Sequence, residues 1–299
     1  MVDLSERYID YVNSLGLRHP QTGAPMTLCP DGRSGPFYDY LMECLESSAA
    51  TFLRRLPYSA ADYLTGNYTC EVPAPRGGNA HHAGPGIALE ERPMSLGDML
   101  SRPPRGTPFI EHRPVMIQRQ GTDKRDWLSW DGQKAAISSL DDYVLHHRRR
   151  MKPCTAFDAL SMDSGENHVF GSPETDYAHF NPVIGEAIAE LRQDFPEEGG
   201  RYAQAFDVSG DAALTERIYL INPMNFIGTD EQSVQAKHYR IRVGASDADT
   251  AFTVSLALAV RLANAGYPVD CALMWDQPHS EADYPGEVLQ WIDAICREK

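Results

Sequence analysis

The last third of the chain constrains the fold most. His238-Tyr239-Arg240-Ile241-Arg242-Val243 alternates, with Tyr239, Ile241 and Val243 on one side, and Gly244 ends the run. From about Thr250 to Ala265 the apolar residues recur at helical spacing, and Gly266 follows as a stop signal. Val269-Asp270-Cys271-Ala272-Leu273-Met274-Trp275 reads as another strand. A final helix starts near Pro285, which suits a first helical position, and Val288, Trp291, Ile292 and Ile295 form its expected buried face. Ile218-Tyr219-Leu220-Ile221, ended by Asn222-Pro223, reads as a further short strand. Strand, helix, strand, helix calls for a parallel crossover with helices packed on the sheet, which makes the class α/β.

The first two-thirds follow another pattern. Leu4, Tyr8, Tyr11, Val12 and Leu15 share one face of an opening helix that Gly16 ends. A turn-rich stretch from Gly23-Ala24-Pro25 to Asp31-Gly32 precedes a second helix, about Phe37 to Leu56. Its apolar face is Phe37, Leu41, Leu45, Phe52 and Leu53. Residues Glu71 to Thr122 hold eight of the 21 prolines and seven of the 23 glycines, without periodicity, and read as a long irregular insertion, partly mobile. Trp127 to Met151 reads as helix ending in Arg148-Arg149-Arg150, where basic residues suit the negative end of the dipole.

Composition excludes several function classes. Lys plus Arg number 27 against 42 Asp plus Glu, a net charge of −15, and a field of that sign repels a phosphate backbone. No nucleic-acid partner is expected. No run reaches the 18 or so apolar residues of a membrane span, so no membrane partner is expected either. Met1-Val2-Asp3-Leu4-Ser5-Glu6 lacks the basic and apolar regions of a secretory signal. The six cysteines form no C-x-x-C pair, so no metal is expected, and scattered thiols favour a reducing compartment such as the cytoplasm.

Two loops follow the last two strands, and in open α/β sheets ligands and catalytic groups sit at the carboxyl ends of strands. One loop is Gly244-Ala245-Ser246-Asp247-Ala248-Asp249-Thr250 and the other Trp275-Asp276-Gln277-Pro278-His279-Ser280. An acid after one strand and a histidine after the next are the last two members of an α/β-hydrolase triad, in the order Ser, Asp, His. The carboxylate fixes the imidazole tautomer and stabilises imidazolium, so that the ring can take a proton from serine. Taken singly, Asp247 or Asp249 reads as a helix cap and His279 as a polar loop residue. The nucleophile signature G-x-S-x-G is absent: Gly32-Arg33-Ser34 and Gly244-Ala245-Ser246 carry Pro36 and Ala248 where the second glycine belongs.

Collinear segments carry a more specific signal. They are Met151-Lys152, Ala156-Phe157-Asp158, Glu166-Asn167, Phe170-Gly171, Ile221-Asn222-Pro223 and Lys237 through Arg242. Asp247-Ala248-Asp249-Thr250, Pro278-His279-Ser280 and Trp291 through Cys296 complete the set. In these the chain resembles the bacterial (subtype B) tannases, serine esterases of the α/β-hydrolase fold. The helices before residue 71 resemble the family more weakly, and the 71–122 insertion does not. The resemblance implies roles: Asp247 and His279 as triad acid and base, and Lys152, Glu166 and Asp249 as contacts to the galloyl hydroxyls. A site built to bond hydroxyls rejects analogues lacking them.

The fold expected on this basis is the C-terminal part of an α/β-hydrolase sheet, its last β-α-β-α. It is preceded by a largely helical lid with the long irregular insertion, so that residues 1–222 are lid-like and residues 223–299 end the core. The implied activity is hydrolysis of galloyl or related phenolic carboxylic esters, without any cofactor. The nucleophilic serine is expected from a missing N-terminal half or a partner chain, and this chain alone is expected to be inactive. The alternative reading is a non-catalytic fragment or a binding protein derived from an α/β-hydrolase, with a homo-oligomer covering the exposed sheet edge.

Overall fold

The computed structural model describes residues 6–73, 116–121, 123–148, 158, 160–162, 165–191, 194–229, 233–247, 250–278, 282–284 and 286–297. The chain divides into two compact units, residues 57–126 and the remainder.

In the larger unit, helix α1 (Glu6–Ser14) ends before Gly16, whose φ of 59° suits glycine. Helix α2 (Pro36–Arg55) starts on Pro36 at its first turn and buries Phe37, Leu41, Leu45 and Leu53, as the sequence spacing requires. Ala49 and Ala50 join that face, while Phe52 is only half-buried. Full burial of each such large apolar side chain contributes about 1.5–3 kcal/mol before entropy is counted.

The smaller unit holds helix α3 (Ala60–Thr65) and an antiparallel pair, β1 (Thr69–Pro73) and β2 (Met116–Gln120), with Thr69 opposite Gln120. The two rims of the 71–122 stretch thus pair as strands. Its interior, where the irregular insertion is expected, lies outside the described residues.

Residues 127–148 depart from the expected helix. They form a short hairpin, β3 (Leu128–Trp130) and β4 (Ala135–Ile137), followed by helix α4 (Leu140–Asp142), which continues as a π-helix over Tyr143–Arg148. The hairpin forms because Asp131-Gly132 makes a tight turn. Gly132 has φ 99°, and the Asp131 carboxylate accepts N–H bonds from Gln133 and Lys134 at 2.8 and 2.7 Å. Ser139 then caps α4, its Oγ accepting from the Asp142 N–H.

Helices α5 (Glu166–Val169), α6 (Pro182–Leu191), α7 (Pro196–Ala203) and α8 (Ala212–Ile221) follow. The short strand expected at residues 218–221 is therefore the last turn of α8. Asp211 caps this helix, its carboxylate accepting from the Leu214 N–H at 2.8 Å. A good cap and intact helical bonding outweigh the β-propensity of Ile218-Tyr219-Leu220-Ile221, which leaves Tyr219, Leu220 and Ile221 exposed.

The last third forms as its pattern demands. Strand β5 (Tyr239–Gly244), helix α9 (Phe252–Asn264), strand β6 (Val269–Met274) and helix α10 (Glu287–Arg297) succeed one another. β5 and β6 pair in parallel with Tyr239 opposite Val269 and Gly244 opposite Met274. Helix α9 packs on both strands and α2 packs on β6. Ser48 of α2 donates to the Leu273 carbonyl at 2.6 Å, so this helix caps part of the β6 edge. The expected burial of Val288, Trp291, Ile292 and Ile295 does not occur. No residue of α10 is buried, and Val288 and Ile292 are each 41% exposed, because no described segment covers that apolar face.

A cavity of about 500 Å³ opens between α2, α9 and β6, with Cys44 and Cys271 among its lining residues. Burial, reinforced by the neighbouring Cys271, pushes the Cys44 thiol up to about 12, and burial pushes Cys271 up to about 11. Cys29 and Cys296 are exposed. Because the thiolate is the reactive form, a disulfide reagent at pH 8 should modify Cys29 and Cys296 first. Cys44 and Cys271 should react at least about 100-fold more slowly until denaturant is added. Equal rates by mass-resolved labelling would sink this expectation.

Candidate functional site

The carboxyl ends of β5 and β6 are held together by backbone. The Ala245 N–H donates to the Met274 carbonyl at 2.9 Å and the Ser246 N–H to the Gln277 carbonyl at 3.0 Å. Gly244 makes this approach possible, since a Cβ there would collide with the carbonyl oxygens of Gln277 and Pro278. Asp247 follows at once and is 4% exposed. One of its carboxylate oxygens accepts from the Thr250 N–H at 2.9 Å. The capping role considered for Asp247 is not realised: the helix begins at Phe252 with Ala251 as its N-cap and no side-chain cap, and the Thr250 bond closes a turn of the preceding loop.

The opposite wall is aromatic. Trp275, 1% exposed, lies just past β6, and His147 stacks on it with centroids 4.2 Å apart and planes 17° apart. Tyr143 and Trp127 each lie 6.1 Å from the Trp275 ring. Tyr143 Oη donates to the Ala245 carbonyl at 2.7 Å, and His147 Nε2 is 3.4 Å from Ser246 Oγ. Both side chains come from the π-helix, a geometry often found beside functional sites. The sequence reading passed over these aromatics. The i, i+4 spacing of Tyr143 and His147 is the one signal in the sequence that could have found them.

On one face of β5, Arg240 and Arg242 both bond Asp270, which lies opposite Arg240 in the register. Arg240 also reaches Asp283 at 2.8 Å and Glu287 of α10 at 3.5 Å. Burial pushes the Asp270 carboxyl up, but the Arg242 hydrogen bonds and the charges of Arg242 and Arg240 hold it below the usual carboxylate range. Trp275, just past β6, and Asp283, before α10, are thus each held by contacts of their own.

A second buried cluster surrounds Asp158, whose carboxylate is fully buried. It accepts from Asn167 Nδ2 at 2.8 Å and from the N–H groups of Phe180 and Asn181 at 2.8 and 3.1 Å. His179 Nδ1 lies 2.7 Å away. The His179 ring in turn stacks on Phe206 at 3.7 Å. This network holds α5, and Glu166 is the first residue of that helix.

Of the residues singled out from sequence, Asp247 is thus buried at the expected strand end. Glu166 heads α5, with its side chain outside the description, and Lys152, Asp249 and His279 lie outside the described residues. Among the described residues no cluster of three or more His, Cys, Asp or Glu could hold a metal. No described helix is long and apolar enough to cross a membrane.

A parallel β-α-β unit with a buried acid after its first strand is joined to a helical region, and similarity to solved structures makes this a tannase-like fold. No protein-family model and no curated protein matches the sequence. Solved structures do match. The chain is similar to the tannin acyl hydrolase of Lactobacillus plantarum, with 26% identity, a TM-score of 0.59 and coverage of 98% of this chain. The same hydrolase in complex with ethyl gallate matches at 27% identity and TM-score 0.59, again over 98% of this chain. Fusobacterium nucleatum tannase matches in fold at 23% identity, TM-score 0.59 and 97% coverage. In all three the chain spans 45% of the tannase's length.

Proposed function

We propose that this chain is the lid and C-terminal core portion of a tannase-like serine esterase acting on galloyl or related phenolic carboxylic esters. In this reading residues 1–222 form the lid-like region and residues 223–299 end an α/β-hydrolase core. The observation that carries it is the tannase-like fold over 98% of the chain, with Asp247 buried at the carboxyl end of β5. The L. plantarum enzyme has been solved with ethyl gallate and with 3,4-dihydroxybenzoate, which supports a phenolic ester as substrate class.

His279 takes the proton of an attacking serine and returns it to the leaving alcohol, while Asp247 holds the imidazole in the required tautomer. The acyl-enzyme is then hydrolysed by water through the same histidine. Lys152, Glu166 and Asp249 together meet the phenolic hydroxyls, because carboxylates and an ammonium satisfy both the donor and the acceptor sides of such groups. The serine comes from a polypeptide carrying the other part of the tannase fold. Two observations favour such a neighbour: among the described strands β5 pairs only with β6, and the apolar face of α10 is exposed.

The test is hydrolysis of methyl gallate by this chain joined to, or mixed with, a polypeptide carrying the first half of a tannase fold. Turnover that His279→Ala abolishes is expected, with none from the chain alone. Turnover by the assembly that survives His279→Ala overturns the reading.

A further inference from the structure

We propose that the cavity between α2, α9 and β6 is a binding site for a neutral planar ring that carries a hydrogen-bond donor beside an acceptor, as a cyclic amide or a phenol with neighbouring hydroxyls does. Its occupancy does not depend on the esterase activity proposed above.

The parallel ladder uses alternate residues of β6. At its ends the Tyr239 N–H donates to the Pro268 carbonyl and the Ala245 N–H to the Met274 carbonyl. Residues 268, 270, 272 and 274 therefore face β5, and Val269, Cys271 and Leu273 turn their N–H and C=O groups the other way. The Leu273 carbonyl accepts from Ser48 on that side. Among the described residues nothing meets the N–H or C=O of Cys271 or the N–H of Leu273. Cys271, Ala272 and Leu273 all line the cavity, and because side chains alternate, three consecutive residues present the edge of the strand rather than one face. An N–H and a C=O side by side on Cys271 call for one group that donates and accepts at once.

The other walls fit such a ring. The core face of α2 is Phe37, Leu41, Leu45 and Leu53. On another face, Tyr40, Cys44, Ser47, Thr51 and Arg55 recur at helical spacing and line the cavity. Among the described residues the hydroxyls of Ser47 and Thr51 have no protein partner. The wall from α9 is apolar, with Phe252, Leu256 and Val260 all buried. A volume of about 500 Å³ lies within the usual range of small-molecule sites.

Two other occupants fit less well. Anions are disfavoured at the rim: Arg55 is already 3.8 Å from Glu287 and lies over the Tyr284 ring at 4.6 Å, and Glu43 adds a second carboxylate. A peptide strand laid along β6 would need the Leu273 carbonyl, which Ser48 occupies at 2.6 Å, so α2 bars strand addition there.

The experiment is a titration of the full chain with 2-quinolone, a neutral cyclic amide, and separately with methyl gallate, followed through the backbone amide signals of Cys271 and Leu273 by NMR. At least one of the two should shift both signals with a dissociation constant of about 1 mM or tighter, as expected of a fragment of this size. Whichever binds tighter identifies the source of the shared chemistry. Quinoline keeps the ring and an acceptor but has no N–H, so it should bind at least about fivefold more weakly than 2-quinolone if the amide is the better ligand. Ser47→Phe, which fills the cavity from an exposed helical position, should weaken binding at least about tenfold. Thr51→Val, which removes one hydroxyl at nearly constant shape, should weaken it about threefold and serves if Ser47→Phe fails to fold. If neither compound moves the Cys271 and Leu273 signals, or if binding is unchanged in the folded variants, the site is overturned. The esterase assay above is untouched by that result, since it reads turnover at another place in the chain.

Discussion

Asp158→Ala should lower the stability of the larger unit by about 3–5 kcal/mol, the usual cost of removing one partner from a buried, hydrogen-bonded charge site. The fully buried carboxylate serves four donors at once, from Asn167, His179, Phe180 and Asn181. Alanine leaves all four beside an apolar methyl, and two of them are backbone N–H groups that cannot turn away. Little else can compensate. His179 is stacked on Phe206 and 4% exposed, so its ring cannot swing to water without leaving that stack. A unit of this size should lose roughly 6–20 °C in melting temperature for such a change. Asp158→Asn keeps an acceptor and the shape, and should cost less than half as much. Thermal or urea unfolding of both variants measures this. A melting temperature within 2 °C or so of the parent for Asp158→Ala would mean that the network contributes nothing.

How far the sequence disclosed this molecule depends on whether the controlling interaction is local. The parallel β5–α9–β6 unit was legible because alternation, helical spacing and Gly266 all agree there, and no distant contact is needed to decide among them. The α2 face was legible for the same reason. Residues 128–137 were misread because apolar residues around Asp131-Gly132 fit a helix nearly as well as a hairpin. The turn chemistry that decides between them occupies only a few residues. Residues 218–221 were misread because a β-prone run lies at the end of a helix whose cap, Asp211, stands seven residues upstream. For α10 the amphipathic pattern is real, but burial needs a partner surface, and a pattern cannot reveal whether the chain supplies one.

The site divides along the same line. Asp247 was legible because its position after a strand follows from local pattern. The Asp158 cluster and the Tyr143–His147 pair were not, since each joins residues tens of positions apart, and only the folded chain brings Tyr143 to Ala245 or His179 to Asp158.

In the esterase assembly proposed above, Asp247→Asn should reduce kcat for methyl gallate by about 10⁴-fold with little change in KM. The carboxylate offers only acceptors to the imidazole, so it selects the tautomer whose other nitrogen can accept the serine proton. An amide at the same position offers a donor as well, which favours the opposite tautomer and removes the charge that stabilises imidazolium. The substitution is nearly isosteric, and the Thr250 N–H can still find an oxygen acceptor, so folding should be nearly unchanged. The phenol contacts behave differently. Under the proposed function Lys152, Glu166 and Asp249 would meet hydroxyls remote from the ester carbon, and binding energy used away from the reacting atoms can appear in either KM or kcat. Glu166→Gln and Asp249→Asn should therefore narrow the preference for methyl gallate over methyl benzoate, while the hydrolysis of methyl benzoate stays close to the parent rate. Asp247→Asn should slow both esters equally, because the proton transfer it supports is common to them. An Asp247→Asn enzyme that lost only its discrimination between the two esters would make this residue a substrate contact rather than the triad acid.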